Sequence, residues 1–215
     1  DAENRLISAE VSAGLSPAVS NLPRLRLEFA YDGFGRRIGK TVKTWNSGTS
    51  TWSVTQERRY LYDGWNKIIE FDPLSSGATV LRHVWGPDLS GTAQGAGGVG
   101  GLLFSESSTG VYAPGYDANG NVVVWINMGD GTVAGRWEYG AFGETISYTG
   151  VSHSLPYSFS TKYRDVETGL YDYGCRSYDP TSGRFLGRDS LEEAGGLNSY
   201  AFIRNVGPNC WDFLG

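Results

Sequence analysis

Hydrophobic and other residues alternate along much of the first third of the chain. Leu25, Leu27 and Phe29 occupy every second position, which is the period of a β-strand. The same kind of pattern predicts four successive strands, over 25–30, 36–45, 52–61 and 66–71. Short turns rich in Gly, Asn and Asp separate these segments. Strands at this spacing favour an all-β, antiparallel hairpin architecture.

One turn unit recurs along the chain. An aromatic residue, usually followed by Asp, precedes a Gly by four or five positions at Tyr31, Tyr116, Tyr139 and Tyr178, and a variant with Asn in the last position begins at Tyr62. Tight hairpins favour Asp and Gly because they need local side-chain hydrogen bonds and positive φ angles. The spacing is uneven, so the unit predicts a degenerate array of hairpins in which neighbours cover each other's faces.

The chain divides into three predicted parts. Residues 1–23 form an irregular lead-in, 24–165 form the hairpins and 166–215 form a loop-rich C-terminal motif with a short helix over 197–204. The Gly-rich stretch 95–101 is interpreted as a tight or mobile loop, because it lacks the Gly-Lys-Ser/Thr ending of a phosphate-binding loop. Asp1 is not an initiator methionine, and we expect that both ends are cut from a longer chain.

Composition narrows the class of protein. The chain has 215 residues, of which 13% are aromatic and 31 are Gly, with a net charge of −5. The aromatic content argues against disorder, and the acidic balance argues against a nucleic-acid partner. The longest purely apolar run is too short to span a membrane. Aromatic residues at strand spacing are interpreted as cross-strand packing, with a sugar-binding platform as the alternative.

Polar residues offer few candidate sites on their own. Arg outnumbers Lys 14 to 4, and we expect these Arg side chains to pair with the Asp residues of the repeats and to stack on aromatic rings. His83 and His153 lack neighbours at metal-ligand spacing, so no metal site is predicted. Cys175 and Cys210 could form one disulfide but are too few for a disulfide scaffold. No cofactor is predicted.

The C-terminal segment carries a family resemblance. The turn Tyr-Asp-x-x-Gly-Arg followed by a strand resembles the tyrosine–aspartate (YD) repeat of Rhs proteins. The stretch 169–189, with the sequence GLYDYGCRSYDPTSGRFLGRD, resembles the Rhs-associated core motif, as do its continuations at 195–202, 205–208 and 211–215. The resemblance covers roughly 25–215 and is most specific over about the last 50 residues. The segment 84–101 also looks typical of this group.

The resemblance implies a fold and a role. Members of this family build a long β-ribbon that curls into a shell or partial barrel, closed by the core motif. A variable toxin-like segment often follows the motif and is cut free by it. The implied partners are the chain's own N-terminal repeats or further copies of itself, a C-terminal cargo polypeptide, and a secretion-system or cell-surface protein. The implied location is secreted or on the surface of a bacterial cell.

The resemblance also implies candidate catalytic residues. The family's self-cleavage uses two aspartates, which correspond here to Asp189 and Asp212, with Arg188 as a supporting residue. Of two close carboxylates, one can keep a proton and act as acid while the other acts as base and activates water. The implied cut lies immediately beyond Gly215. Ser190 and Phe213 stand where the family usually has Pro. The structural alternative is that Asp189 caps a helix and Asp212 makes a turn.

Two further expectations remain. Cys175 and Cys210 both lie in the core motif, which suggests that they are close enough to form a disulfide if the protein is exported. The function could instead centre on self-processing proteolysis as such. It could also be extracellular assembly, in which hairpin arrays join edge to edge without any proteolysis.

Overall fold

A computed structural model describes residues 1, 3–10, 23–150, 155–190, 197–203, 212, 214 and 215. Within these residues nearly all of the regular secondary structure consists of antiparallel strands, as predicted. None of the helical segments in this part of the chain has the length and apolar character needed to cross a membrane.

Eleven strands form one long sheet, and each strand pairs with the next in sequence. These strands are β1 (Ser8–Glu10), β2 (Leu25–Tyr31), β3 (Arg37–Asn46), β4 (Thr51–Asp63), β5 (Asn66–Asp72), β6 (Ala78–Trp85), β7 (Leu102–Ser107), β8 (Gly110–Tyr116), β9 (Val122–Asn127), β10 (Val133–Tyr139) and β11 (Thr145–Gly150). The four strands predicted from alternation correspond to β2–β5. The sheet is an open ribbon, and we refer to it below as the ribbon.

Over 163–185, four short strands form a second antiparallel sheet that begins just before the core motif. They are β12 (Tyr163–Arg164), β13 (Tyr171–Asp172), β14 (Ser177–Asp179) and β15 (Arg184–Phe185). An aromatic cluster packs this sheet: Phe159, Tyr171, Tyr173, Tyr178, Phe185 and Phe202. Ring edges and faces meet within this cluster at centroid distances near those of favourable aromatic pairs, for example 5.4 Å between Tyr178 and Phe185.

The repeated turn unit has the structure that its residues predict. After β2, Asp32 Oδ1 accepts hydrogen bonds from the backbone N–H groups of Phe34 and Arg36, each at 2.9 Å. The Arg36 guanidinium binds the other oxygen of the same carboxylate at 2.8 Å. Gly35 has a φ of +84°, which favours glycine. Asp117 caps the turn between β8 and β9 in the same way. The predicted pairing of repeat aspartates with arginines is confirmed in the Asp32 unit.

A second core lies between the ribbon and the segment that leads into β12. Its buried members are Tyr60, Leu81, Leu102, Tyr112, Val122, Trp125, Trp137, Leu155, Tyr157 and Tyr163. Cross-strand aromatic pairs were predicted, and Trp45 on β3 meets Trp52 on β4 at 5.3 Å in an edge-to-face arrangement. These contacts confirm that the aromatic residues pack the wall of the ribbon.

Buried charges join the two sheets. Arg37 and Lys40 on β3 and Lys67 on β5 carry positive charge, and β13 with the loop before it supplies the partners Asp165, Glu167 and Asp172. The guanidinium of Arg37 lies 2.5 Å from Asp165 and 3.1 Å from Asp172, and Lys67 lies 2.6 Å from Asp172. We call this set of six residues the ionic clasp. All its cations belong to the ribbon, and all its anions lie on β13 or in the loop between β12 and β13.

Two local predictions differ from the structure. The lead-in, expected to be irregular, contains β1, which pairs with β2. Over residues 197–202, turns and one β-bridge between Ala201 and Arg184 replace the helix that was predicted over 197–204. The Asn198 carbonyl closes a turn by accepting from Ala201 N–H at 3.1 Å, and Phe202 enters the aromatic cluster. Burial of that ring therefore decides the conformation, and helical periodicity does not. The domain boundaries themselves remain predictions.

The Gly-rich stretch 95–101 is a folded loop built around a carboxylate. Asp88 Oδ2 accepts hydrogen bonds from the N–H groups of Ala96 at 2.7 Å and Gly98 at 3.0 Å. Burial opposes ionisation, yet hydrogen bonds from the side chain and N–H of Ser90, together with those from Ala96 and Gly98, hold the pKa of Asp88 below its ordinary value. The chain's own anion thus satisfies the backbone donors that a phosphate would need, which agrees with the interpretation as a tight loop.

Candidate active site

The candidate site lies on the turn between β13 and β14. This turn, 173–176, carries Arg176, whose side chain is only 4% exposed. The Arg176 guanidinium lies over the ring of Phe185 on β15, 3.9 Å from its centroid. Its Nη1 donates to the carbonyl of Ser199 at 3.0 Å. Stacking and hydrogen bonding therefore fix the guanidinium in one place.

The two predicted aspartates meet at this guanidinium. Arg176 Nη2 lies 3.0 Å from Asp189 Oδ2 and 3.8 Å from Asp212 Oδ2. The two carboxylate oxygens can be no further apart than the sum of these distances. Residues separated by 23 positions in sequence are thus brought to one cation, and both side chains remain partly exposed, at 18% and 19%. The arrangement places two carboxylates where water can reach them.

The end of the chain is bound at the same place. Gly215 N–H donates to Asp212 Oδ1 at 2.6 Å, and the carbonyl of Leu214 accepts from Cys175 N–H at 2.9 Å. A Cβ built on Gly215 would lie 3.0 Å from Arg176 Cβ, so the backbone passes close to the turn. The segment expected to precede the cut therefore contacts both the candidate aspartate and the arginine that holds it.

An open groove of about 700 Å³ borders the site. Arg176 and Asp189 line one side of it, and the lead-in residues Asn4 and Arg5 line the other. Asn4 Nδ2 donates to the carbonyl of Arg188 at 2.9 Å, which joins the lead-in to the core motif. The candidate site thus opens to solvent between the core motif and the N-terminal part of the chain.

A buried amine lies near the other side of the site. Lys162 Nζ donates to the carbonyl of Gly97 at 2.9 Å and lies 5.2 Å from the ring centroid of Tyr173. Burial lowers the pKa of Lys162 to about 8, while Asp212 and Asp172 oppose that shift. The field of a second cation therefore reaches Asp212, in addition to that of Arg176.

Sequence reasoning missed Arg176. It proposed Arg188 as the supporting cation, but the Arg188 side chain is exposed and the guanidinium observed at the carboxylates is that of Arg176. The role of Arg188 stays a prediction. A usable signal was present: Arg176 lies among the aromatic residues Tyr173 and Tyr178. An arginine among residues that are destined for a core must find a carboxylate partner or remain an unpaired buried charge.

The predicted disulfide cannot be placed within the described residues. Cys210 lies outside them, and Cys175 is half-buried in the turn that carries Arg176. Burial raises the pKa of the Cys175 thiol, with Asp172 acting in the same direction. The pairing of the two cysteines therefore remains a prediction.

His83 takes part in a buried hydrogen-bond network. Its Nδ1 lies 2.9 Å from Ser105 Oγ and its Nε2 lies 3.0 Å from Glu70 Oε1, while the Tyr163 hydroxyl donates to the other Glu70 oxygen at 3.0 Å. Burial opposes ionisation, yet the bonds from His83 and Tyr163 hold the pKa of Glu70 below its ordinary value. No group of three His, Cys, Asp or Glu residues with metal-binding geometry occurs in the described ranges, and His153 lies outside them.

Comparison with known proteins finds relatives among Rhs proteins and toxin subunits. The chain is 30% identical over 190 residues to probable deoxyribonuclease RhsA of Dickeya dadantii (strain 3937), which covers 85% of this chain and 12% of that protein. It is 42% identical over 81 residues to toxin subunit YenC2 of Yersinia entomophaga, covering 36% of this chain and 8% of that protein. The chain thus spans only about a tenth of these relatives. No protein-family model matches it.

Solved structures agree on the fold. The crystal structure of TcdB2-TccC3-TEV superimposes with a TM-score of 0.69 at 20% identity, over 100% of this chain and 10% of that one. The structure of TcdB2-TccC3 without its hypervariable C-terminal region gives a TM-score of 0.64 at 22% identity, over 99% and 10% of the two chains. The eleven-stranded sheet of this chain matches the Rhs shell-like fold and, over the described residues, is not closed on itself. Together with the YD turns, the core motif and the similarity to RhsA and YenC2, this fold shows that the chain belongs to the Rhs/YD-repeat proteins.

Proposed function

We propose that this segment forms part of the wall of an Rhs shell and that its core motif hydrolyses the chain just beyond Gly215. The observation that carries the proposal is the meeting of Asp189 and Asp212 at Arg176 Nη2, with the Gly215 N–H bound to Asp212. Two carboxylates beside a bound peptide segment are the groups that aspartic hydrolysis needs.

The reaction balances as a simple hydrolysis. One carboxylate accepts a proton from water, whose oxygen attacks the carbonyl carbon of the peptide bond. The other carboxyl group donates its proton to the amide nitrogen, and the C–N bond breaks. The products are a new carboxyl terminus on the core side and a free amine on the released segment. Arg176 holds both carboxylates in place and stabilises the negative charge that develops on the oxygen of the attacked carbonyl.

The proposal extends to cargo and location. By analogy with relatives that are named as toxins and toxin subunits, the segment released after residue 215 is a toxin-like polypeptide enclosed by the complete shell. The remaining wall is supplied by N-terminal repeats of the same protein. A secreted or cell-surface location follows from this role, and so does a secretion-system or surface partner.

Mass spectrometry of a longer chain tests the hydrolysis. The segment is expressed with the natural residues that follow Gly215, in wild type and in the variants Asp189→Asn and Asp212→Asn. Asp130→Asn is a matched control, because Asp130 lies in an exposed turn. We expect a cut just beyond Gly215 in wild type and control and an intact chain in both site variants. A wild-type chain that stays intact would show that the autoproteolysis proposal is wrong.

Edge-to-edge assembly without proteolysis is the alternative. Within the described residues, β1 and β11 each pair with one neighbour only, and β11 is mostly exposed, with Ile146 69% exposed. Such an edge can accept another strand from further repeats or from a second copy. Light scattering of the isolated chain tests this alternative, and a monomer at all concentrations would count against it.

A further inference from the structure

The side chain of Leu214 occupies a small notch between the two sheets. One wall of the notch is Gly174, in the turn that carries Arg176, and the other is Trp65, in the hairpin turn between β4 and β5. A Cβ built on Gly174 would lie 3.2 Å from Leu214 Cδ2 and 3.3 Å from Trp65 Cε3. Leu214 and the indole therefore both lie against the bare Cα of Gly174, and a larger residue there would crowd both.

The notch itself is held in place. Gly174 has a φ of +100°, which disfavours any residue with a side chain. Trp65 N–H donates to Gln94 Oε1 at 2.9 Å, and Gln94 Nε2 donates to the carbonyl of Asp63 at 2.9 Å. The long loop before β7 thus braces the hairpin turn that presents the indole. The ribbon, and not only the core motif, sets the position of this wall.

Backbone hydrogen bonds also hold the peptide group that follows the leucine side chain. The Leu214 carbonyl accepts from Cys175 N–H, and the next N–H, that of Gly215, binds Asp212 Oδ1. A side chain in a notch together with two hydrogen bonds to the adjacent peptide group restrains both the register and the direction of this segment. The peptide bonds that follow Gly215 then leave from a defined point beside the turn that carries Arg176.

We propose that Trp65 and Gly174 form an anchoring site for Leu214 that determines which peptide bond is presented to the two aspartates. This inference rests on the proposed hydrolysis. A hydrolytic site acts on the bond that is held within reach, and a displacement of about 1 Å costs on the order of a hundredfold in rate. Leu214 is therefore a specificity determinant of the cut, and Trp65 is a positioning residue supplied by the ribbon.

The cleavage experiment uses the chain with its natural residues beyond Gly215. Leu214→Ala and Trp65→Ala are each expected to slow cleavage about tenfold or more and to spread the cut over neighbouring bonds. Leu214→Met, which refills the notch, should restore a single cut. Leu186→Ala is the matched control, because Leu186 belongs to the same motif but is 47% exposed. Loss of packing alone would lower stability without moving the cut.

A second measurement is independent of cleavage. In an Asp189→Asn background, amide hydrogen exchange at Cys175 and Gly215 should speed up about tenfold when Leu214 is replaced by Ala, since both amides depend on the seated segment. Faster exchange without any cleavage in wild type would support the anchoring site and overturn the hydrolysis. Unchanged exchange, or normal cleavage at one bond in Leu214→Ala, would overturn the anchoring site.

Discussion

Replacing Arg37 by Met should destabilise the chain by about 3 kcal/mol. Its side chain is 3% exposed and pairs with Asp165 and Asp172 in the ionic clasp. Burial alone would lower the pKa of Arg37, but these two carboxylates hold it well above its ordinary value. Removing one partner of a buried pair typically costs about 3–5 kcal/mol. The lower end applies, because Asp165 keeps Lys40 at 3.2 Å and Asp172 keeps Lys67 at 2.6 Å.

Urea unfolding followed by tryptophan fluorescence measures this loss. Arg82→Met is the matched control, because Arg82 pairs with Glu106 at 3.5 Å on the surface, with side chains 55% and 44% exposed. The control should change the free energy of unfolding by no more than about 0.5 kcal/mol. Adding Asp165→Leu to Arg37→Met should recover part of the loss, because the buried clasp then again holds equal numbers of cations and anions.

The result that would refute this reasoning is a loss of less than about 1 kcal/mol in Arg37→Met, or a loss equal to that of the control. Either outcome would mean that the clasp is solvated in solution and does not hold the core motif against the ribbon. A double variant that is less stable than Arg37→Met alone would contradict the assignment of the penalty to the excess negative charge in the clasp.

Three further predictions use single sites. Burial opposes ionisation of Asp172, but Arg37 and Lys67 lower its pKa from 3.8 to about 2. The ionised carboxylate therefore stabilises the fold above about pH 4, and this stabilisation is lost as the pH falls towards 2. In Asp172→Asn, an acid titration of the free energy of unfolding should no longer show this loss. Asp88→Ala should destabilise by about 2 kcal/mol and speed amide exchange in the loop 95–101, because buried N–H donors lose their acceptor. Gly143→Ala should lower the free energy of unfolding by about 2 kcal/mol more than Gly131→Ala, as measured by thermal unfolding. Both glycines have a positive φ near +80°, but a Cβ at 143 would lie 2.5 Å from the ring of Phe159, whereas a Cβ at 131 would have no atom within 4 Å.

The sequence predicts the ribbon well because its signals are local. Alternation over 25–30 and a Tyr-Asp turn at Tyr31 are decided by residues within a few positions of each other. The capping of the turn by Asp32 is likewise a contact over two to four residues. Such contacts are readable without knowledge of the rest of the fold.

Long-range partners are not readable in this way. Arg176 and Asp212 lie 36 positions apart, and no local pattern says which of several arginines reaches a given carboxylate. The helix predicted over 197–204 is absent from residues 197–202 for the same reason. Burial of the Phe202 ring against Tyr178, at a centroid distance of 4.5 Å, outweighs the local preference for a helix. The meeting of Asp189 with Asp212 was expected only because the motif resembled that of a family.

The clasp and the candidate site are joined through one residue. Asp172 Oδ2 binds Arg37 and Lys67 of the ribbon, whereas its Oδ1 accepts from Gly174 N–H at 3.1 Å. That amide opens the turn that carries Arg176, which in turn holds both aspartates. Because the ribbon's cations fix this carboxylate, and the carboxylate fixes the turn, the geometry of the site depends on the ribbon as much as on the core motif. The two sheets therefore act as one unit, and the core motif separated from the ribbon would lack the groups that position its own aspartates.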